Sequence, residues 1–320
     1  MFDVITLGSA TVDVFVKTAR PRIIRHKEHA DVCYSVGQKV LVEDLHVDTG
    51  GGGTNTAVAF SRLGLKTGWV GKVGTDLNAK TVLDEARREG VSFLGTSGKG
   101  MTGYSVILTG LERNRTILAY KGVNDQLSPN DIPWDKLTAK WLYLGAMMGK
   151  SFETLRHVAA FAKEEGIKYA FNPSMYLAQQ GIKKLRTIID GCDLLILNRE
   201  EAQALLGMQQ RCVEMLPELQ KYSKIAVITD GPKPAHAYNG IMHYEIVPPD
   251  IKVIEPTGAG DAFAAGMVAG LMIEKDIPTA LQWAMAESCS VIQHLGAKQK
   301  LLTRAEITKA RPAKLRMERL

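Results

Sequence analysis

Cysteine is scarce in this sequence: four in 320 residues, Cys33, Cys192, Cys212 and Cys289, far apart and with no Cys-x-x-Cys pair. That spacing argues against a disulfide framework or a cysteine-bound zinc, and the four read as reduced thiols. Long hydrophobic runs are also missing. The longest, over 262–273, falls short of the roughly 20 residues a bilayer span needs. No basic stretch leads into an apolar one at Met1-Phe2-Asp3-Val4-Ile5, so no export signal is read there. The expected location is the cytoplasm, without a membrane partner. The body of the chain shows no excess of either charge. Residues 298–320 hold eight basic and two acidic side chains, which accounts for the whole net charge of +6. A basic stripe across a fold would imply nucleic acid, whereas a basic tail reads as a solvated helix end, so nucleic acid is not an expected partner.

Two nucleotide signatures are missing as well. The glycines at 50–53 do not fit Gly-x-Gly-x-x-Gly in any register. Gly145-Ala146-Met147-Met148-Gly149-Lys150-Ser151 has three residues between its glycines, one fewer than a P-loop. Loop length sets how backbone wraps phosphate, so this stretch reads as an ordinary turn before a helix. There is no repeat, low-complexity tract or long linker. A chain of 320 residues with 45% in the hydrophobic class is therefore expected to form one α/β domain over 1–320.

What is present is alternation. Short apolar runs near 4–8, 67–73, 141–144, 168–171, 194–197 and 225–229 have the length of buried strands. Helical patterns at 77–89, 152–165, 181–189 and 199–206 separate many of them. That order predicts a mostly parallel sheet covered on both faces by helices. Residues 235–247 read as a hairpin around Asn239-Gly240, and 277–295 as a long helix. A second group of strands is expected at 11–17, at 32–47 with turns near Gly37 and Glu43-Asp44, and at 104–109 and 115–120 around a turn at 110–114. Residues 21–30 read as a polar, basic loop. These segments predict a separate small sheet.

Several stretches carry candidate chemistry. Glu255-Pro256-Thr257-Gly258-Ala259-Gly260-Asp261 leads into the apolar run 262–273. Small residues there let free helix N-terminal N–H groups gather around an anion, with Asp261 beside them as a base. By itself Gly-x-Gly-Asp is more often a capped helix start. Asp48-Thr49-Gly50-Gly51-Gly52-Gly53-Thr54-Asn55 feeds an amphipathic helix that stops at Gly64, and its glycines let a ligand lie against the backbone. Asp13 breaks an apolar strand pattern, either as an edge residue or as a carboxylate gripping substrate hydroxyls. Asn198 and Glu201 stand where a strand enters a helix. They fit a capping box, the commoner use, or a reach toward hydrated magnesium or phosphate. Thr229-Asp230-Gly231 ends a strand at the edge where open α/β sheets bind ligands; the alternative is a polar turn.

In combination these pieces resemble the ribokinase-like (PfkB) carbohydrate kinase family over nearly the whole chain. Gly50-Gly51-Gly52-Gly53-Thr54-Asn55-Thr56-Ala57-Val58-Ala59 with Arg62-Leu63-Gly64 is similar to its sugar-binding loop, and 255–261 to its Asp-Thr-x-Gly-Ala-Gly-Asp motif. The resemblance implies a three-layer α/β/α fold with a β-sheet lid from about 11–18, 31–48 and 100–121. It implies an ATP-dependent sugar kinase that phosphorylates a hydroxymethyl group, with Mg²⁺ as cofactor. A nucleoside kinase is the alternative, and a non-catalytic ligand-binding member a remote one. Asp261 would be the base and Gly258, Ala259 and Gly260 the anion hole. Asn198 and Glu201 would serve Mg²⁺ and phosphate, Glu201 through water, and Thr229 and Gly231 the nucleotide. Asp13, Gly51, Gly52, Asn55 and Arg115 would bind the acceptor, Arg115 near substrate or phosphate. An exposed lid edge would invite a homodimer. Three positions depart from the family pattern. Glu255 replaces the usual Asp, which counts against a monovalent cation such as K⁺ beside the loop. Pro234 replaces a nucleotide-loop glycine and has no N–H to donate. Met147 stands near the glutamate of ribose-specific members, implying a more apolar acceptor pocket.

Overall fold

The computed structural model describes residues 1–19, 21–26, 30–111 and 114–320. A ten-stranded sheet runs through the molecule. Its parallel part has the order Ser223–Asp230, Cys192–Asn198, Lys168–Phe171, Ala139–Leu144, Phe2–Leu7, Thr67–Val70, Ser92–Phe93. Beyond Ser223–Asp230 the strands Lys233–Tyr238, Met242–Val247 and Lys314–Arg319 continue it antiparallel.

The central strands read as unbroken apolar runs because both faces are buried. Along Phe2–Leu7, Val4 enters one core layer while Ile5 and Leu7 enter the other. Along Ala139–Leu144, Trp141 and Tyr143 take the first layer and Leu142 and Leu144 the second. Helices Gly52–Arg62, Leu77–Arg88, Ala259–Ile273 and Ile277–Val291 cover the first face, and Gly149–Glu164, Gly181–Ile189, Arg199–Leu206 and Cys212–Gln220 the second. The expected α/β/α layering is present.

A second, four-stranded sheet has the order Asn114–Tyr120, Gly103–Leu111, Thr11–Thr18, Val42–Gly50. Register puts Asp13, Phe15, Ser105, Ile107, Arg115, Ile117 and Asp48 on one face, and Val14, Val47, Leu45 and Leu118 on the other. Four local expectations need correction. Residues expected as a basic loop include the strand Arg22–Arg25, where Ile23 and Ile24 favour pairing with Ala30–Cys33; residues 27–29 lie outside the described residues. Glu43-Asp44 is not a turn but lies inside Val42–Gly50, where a register shift beside Lys17 and Thr18 absorbs the extra residue. The basic tail is not a solvated helix end. It forms the edge strand Lys314–Arg319, with Leu315 packed against the core and charged side chains that discourage further pairing. The long helix expected to reach 295 stops at Val291. The turn residues 112–113 of the Gly103–Leu111 hairpin lie outside the described residues.

Candidate active site

Two helix N-termini meet at the carboxyl end of the parallel strands, the edge where open α/β sheets take ligands. Val42–Gly50 hands the chain to helix Gly52–Arg62, and the 255–258 loop hands it to helix Ala259–Ile273. Asn55 of the first helix donates through Nδ2 to Asp261 Oδ2 of the second at 2.8 Å, across 206 residues of sequence. Gly52 backs the other oxygen, since a Cβ there would stand 3.4 Å from Asp261 Oδ1. Gly51 caps the first helix without any side-chain bond.

Asp13 is buried beside this pair, hydrogen-bonded to Ser105 and Thr11. Its Oδ2 leaves no room for a side chain at Gly50, where a Cβ would come within 1.9 Å. Asp13 Oδ1 and Asn55 Oδ1 are buried acceptors without a protein partner. An orphaned buried acceptor costs about 1–3 kcal/mol. Two of them beside one carboxylate are best explained by a ligand that brings hydroxyl donors.

Burial raises the Asp261 carboxyl above its ordinary value; the Asn55 bond and the Lys298 charge pull it down, and Asp13 pushes it up. Burial likewise raises Asp13, against its bonds to Ser105 and Thr11. Gly258 caps the Ala259–Ile273 helix at φ 85°, which L side chains rarely adopt, and Ala297 O would meet a Cβ there at 2.4 Å. First-turn N–H groups have no intrahelical acceptor. One of the three expected donors, Ala259 N–H, is drawn back onto the Pro256 carbonyl at 3.3 Å.

Arg115 is partly buried, and one edge of its guanidinium meets an acid. Its Nε lies 3.6 Å from Glu255 Oε1, across from the second sheet to the start of the 255–258 loop. The same oxygen accepts Thr257 N–H at 3.1 Å and Thr257 Oγ1 at 2.7 Å.

On the neighbouring strands, Asn198 and Thr229 are register partners. Asn198 and Glu201 make the full capping box: Oδ1 accepts Glu201 N–H at 2.8 Å and Glu201 Oε2 accepts Asn198 N–H at 2.9 Å. Burial raises the Glu201 carboxyl. Gly231 turns the chain at φ 56°, while Asp230 faces Arg199 at 3.2 Å and Lys233 at 3.6 Å. Pro234 sits where the Ser223–Asp230 and Lys233–Tyr238 pairing shifts register, so its missing N–H breaks no ladder bond there. Among the described residues no group of three or more His, Cys, Asp or Glu is placed to hold a metal. Ser151 of the P-loop look-alike is buried and donates to Asn124 O at 2.6 Å. Met147 is buried and belongs to the core on the second face.

Sequence reading missed Lys298, Glu85 and Thr49, a buried charged group behind the glycine loop. Lys298 was hidden among the basic residues of the tail, where the type of residue gives no sign of burial.

The family model for pfkB family carbohydrate kinase matches residues 5–304. The chain belongs to that family. It is 28% identical over 251 residues to an uncharacterized sugar kinase of Archaeoglobus fulgidus, covering 76% of this chain and 98% of that protein. It is 26% identical over 307 residues to the ribokinase of Lactococcus lactis, covering 93% of each. The structure of adenosine kinase from Sinorhizobium meliloti superposes with a TM-score of 0.83 at 21% identity, over 96% of this chain and 98% of that one. As a PfkB carbohydrate kinase, the protein is a phosphotransferase with an alcohol group as acceptor. No helix among the described residues is long and apolar enough to cross a membrane.

Proposed function

We propose that the Asp261–Asn55 pair is the catalytic centre of an ATP-dependent kinase acting on a hydroxymethyl group of a small sugar. The observation that carries this is the cluster of unpartnered acceptors, Asp13 Oδ1 and Asn55 Oδ1, around the Asp261 carboxylate. Sugar hydroxyls would satisfy both acceptors and bring one hydroxyl to Asp261. Asp261 takes that proton as the acceptor oxygen forms its bond to the γ-phosphorus. The bond from that phosphorus to the bridging oxygen breaks, and ADP leaves. The free N–H groups at the head of Ala259–Ile273, with Gly258 and Gly260, stabilise charge on the moving phosphoryl group.

The donor is assigned to the strip of Asn198, Glu201, Thr229 and Gly231, at the ends of two adjacent parallel strands. With no three-ligand cluster among the described residues, magnesium fits as a hydrated ion held mainly by the triphosphate, with Glu201 acting through water. When bound, the ion neutralises phosphate charge. Glu255 does not fit a resident monovalent cation, because its Oε1 already faces Arg115 and two Thr257 donors. The second sheet acts as a lid over the acceptor in this reading, limiting water and hence wasteful ATP hydrolysis. The four cysteines are unpaired, which agrees with a cytoplasmic location.

A nucleoside acceptor is the second reading. It is favoured by the partly open Ile117, which shares the Asp13 face of the lid with the buried Phe15 and Ile107 and offers apolar surface to a base. A screen of ADP release over pentoses, hexoses, keto-sugar acids and nucleosides separates the two. Stimulation by a sugar supports the first reading, stimulation by nucleosides alone replaces it with the second, and no stimulation by any acceptor overturns both.

A further inference from the structure

An ammonium group inside a protein is costly unless it is matched. Lys298 is 2% exposed, and no other lysine among the described residues is buried. Its Nζ donates to Thr49 Oγ1 at 2.6 Å and to Glu85 Oε2 at 2.5 Å, and the Thr49 hydroxyl donates to that same carboxylate. Three segments converge there. Thr49 stands at the end of Val42–Gly50, just before the glycine loop, and Glu85 belongs to helix Leu77–Arg88. Lys298 follows Ala297, whose carbonyl lies against Gly258 of the phosphate loop.

Neighbouring bonds hold the same segment. Gln299 Nε2 donates to Asp48 Oδ2 at 3.0 Å, and Asp48 is the register partner of Asp13. From behind, Arg62 Nη1 reaches the carbonyls of Lys298 and Leu301, each at 3.4 Å. The lysine therefore ties the base of the second sheet to the phosphate loop, with its charge behind two carboxylates of the site.

We propose that Lys298 is a positioning residue for phosphoryl transfer: it locks the junction of lid strand and glycine loop against the phosphate loop and sets a positive charge behind the Asp13–Asp261 site. The proposal rests on the kinase reading above. The Lys298 charge acts in the same sense on both carboxylates, against their burial. Around Asp261 the opposing charges are Asp13 and Glu201, with the buried Tyr143 hydroxyl also in its field and Asn55 as the direct neutral partner; around Asp13 the opposing charge is Asp48. Glu85, in contact with the ammonium, offsets part of its field.

The test compares Lys298→Met, Lys298→Arg and Glu85→Gln in the full chain. It uses ATP and whichever acceptor the screen finds, and reads kcat/KM against pH beside a thermal melt. Lys298→Met is expected to move the acid limb upward by at least about half a pH unit and to raise the acceptor KM. Lys298→Arg, which keeps the charge, restores the limb. Glu85→Gln, which unmasks the ammonium, moves it downward. A purely structural lysine predicts lowered melting temperatures with the limb unmoved, and that result overturns the proposal while leaving the kinase reading intact. Should Lys298→Met fail to fold, the direction of the Glu85→Gln shift decides. A wild-type protein without acceptor-stimulated turnover overturns both.

Discussion

Asp261 and Asn55 bring two glycine-rich loops together through one hydrogen bond, and their chemistry was readable in residue type: a carboxylate after small residues, an amide after glycines. The partner of Arg115 was not readable, because nothing in the local sequence of either residue points across from the second sheet to Glu255. The residue scale yields two predictions. Burial holds Asp261 above the ordinary 3.8, and the carboxylate is the form that accepts a proton, so activity requires a pH above the raised value. The kcat/KM profile should therefore fall with acidification through a limb lying above 3.8; a limb at or below that value contradicts the assignment. Because Arg115 already neutralises Glu255, turnover in potassium, sodium and choline salts of equal ionic strength should agree within about twofold, well under the tenfold of a 1.4 kcal/mol effect. A tenfold requirement for potassium would place a cation where the guanidinium is now assigned.

At the scale of elements, the parallel strands were legible because their two covered faces leave a continuous apolar signature. The strands of the second sheet were harder to bound, since Glu43-Asp44 imitates a turn until the register shift is seen. The tail was misread for a related reason: scattered charges suit an edge strand as well as a helix end. Helix Ile277–Val291 carries a buried group with no assigned catalytic use. Glu287 is fully buried; its Oε2 accepts Leu302 N–H at 3.1 Å and its Oε1 is unpartnered. Burial pushes its carboxyl up to about 8 from 4.5. The folded chain thus keeps a proton that the unfolded chain loses. The resulting stability is complete below pH 4.5 and fades as pH rises through about 8. Glu287→Gln, which cannot ionise, should flatten the melting temperature over that window and raise it relative to wild type at pH 8.5. An unchanged slope would show that Glu287 is ionised in the folded protein.

At the scale of the whole molecule, the second sheet turns one face to the 255–258 loop, while the other packs on the core at Val12 and Tyr104 and opens outward beyond them. Leu45, Val47, Leu118 and Tyr120 share the outward face, and each is more than half exposed. Apolar surface of this kind on a sheet invites a second copy, so the protein is expected to be a dimer through its lids. Light scattering after size exclusion should give a dimer for wild type and a monomer for Leu118→Lys with little change in melting temperature. A monomeric wild type at micromolar concentration would remove the lid from the assembly. The layered fold and the order of the site loops could be read from sequence. The outward apolar face could not, because alternation in a strand does not tell which side is covered.

The central claim is that Asp261 is the base for phosphoryl transfer to an alcohol. Its most direct measurement is acceptor-stimulated ADP release by wild type and Asp261→Asn in one assay, with the phosphorylated acceptor identified by mass. A positioned general base contributes about 10²–10⁴-fold, so the variant should lose at least about a hundredfold in kcat, with its melting temperature close to wild type. An Asp261→Asn protein that phosphorylates the acceptor at the wild-type rate would contradict the account.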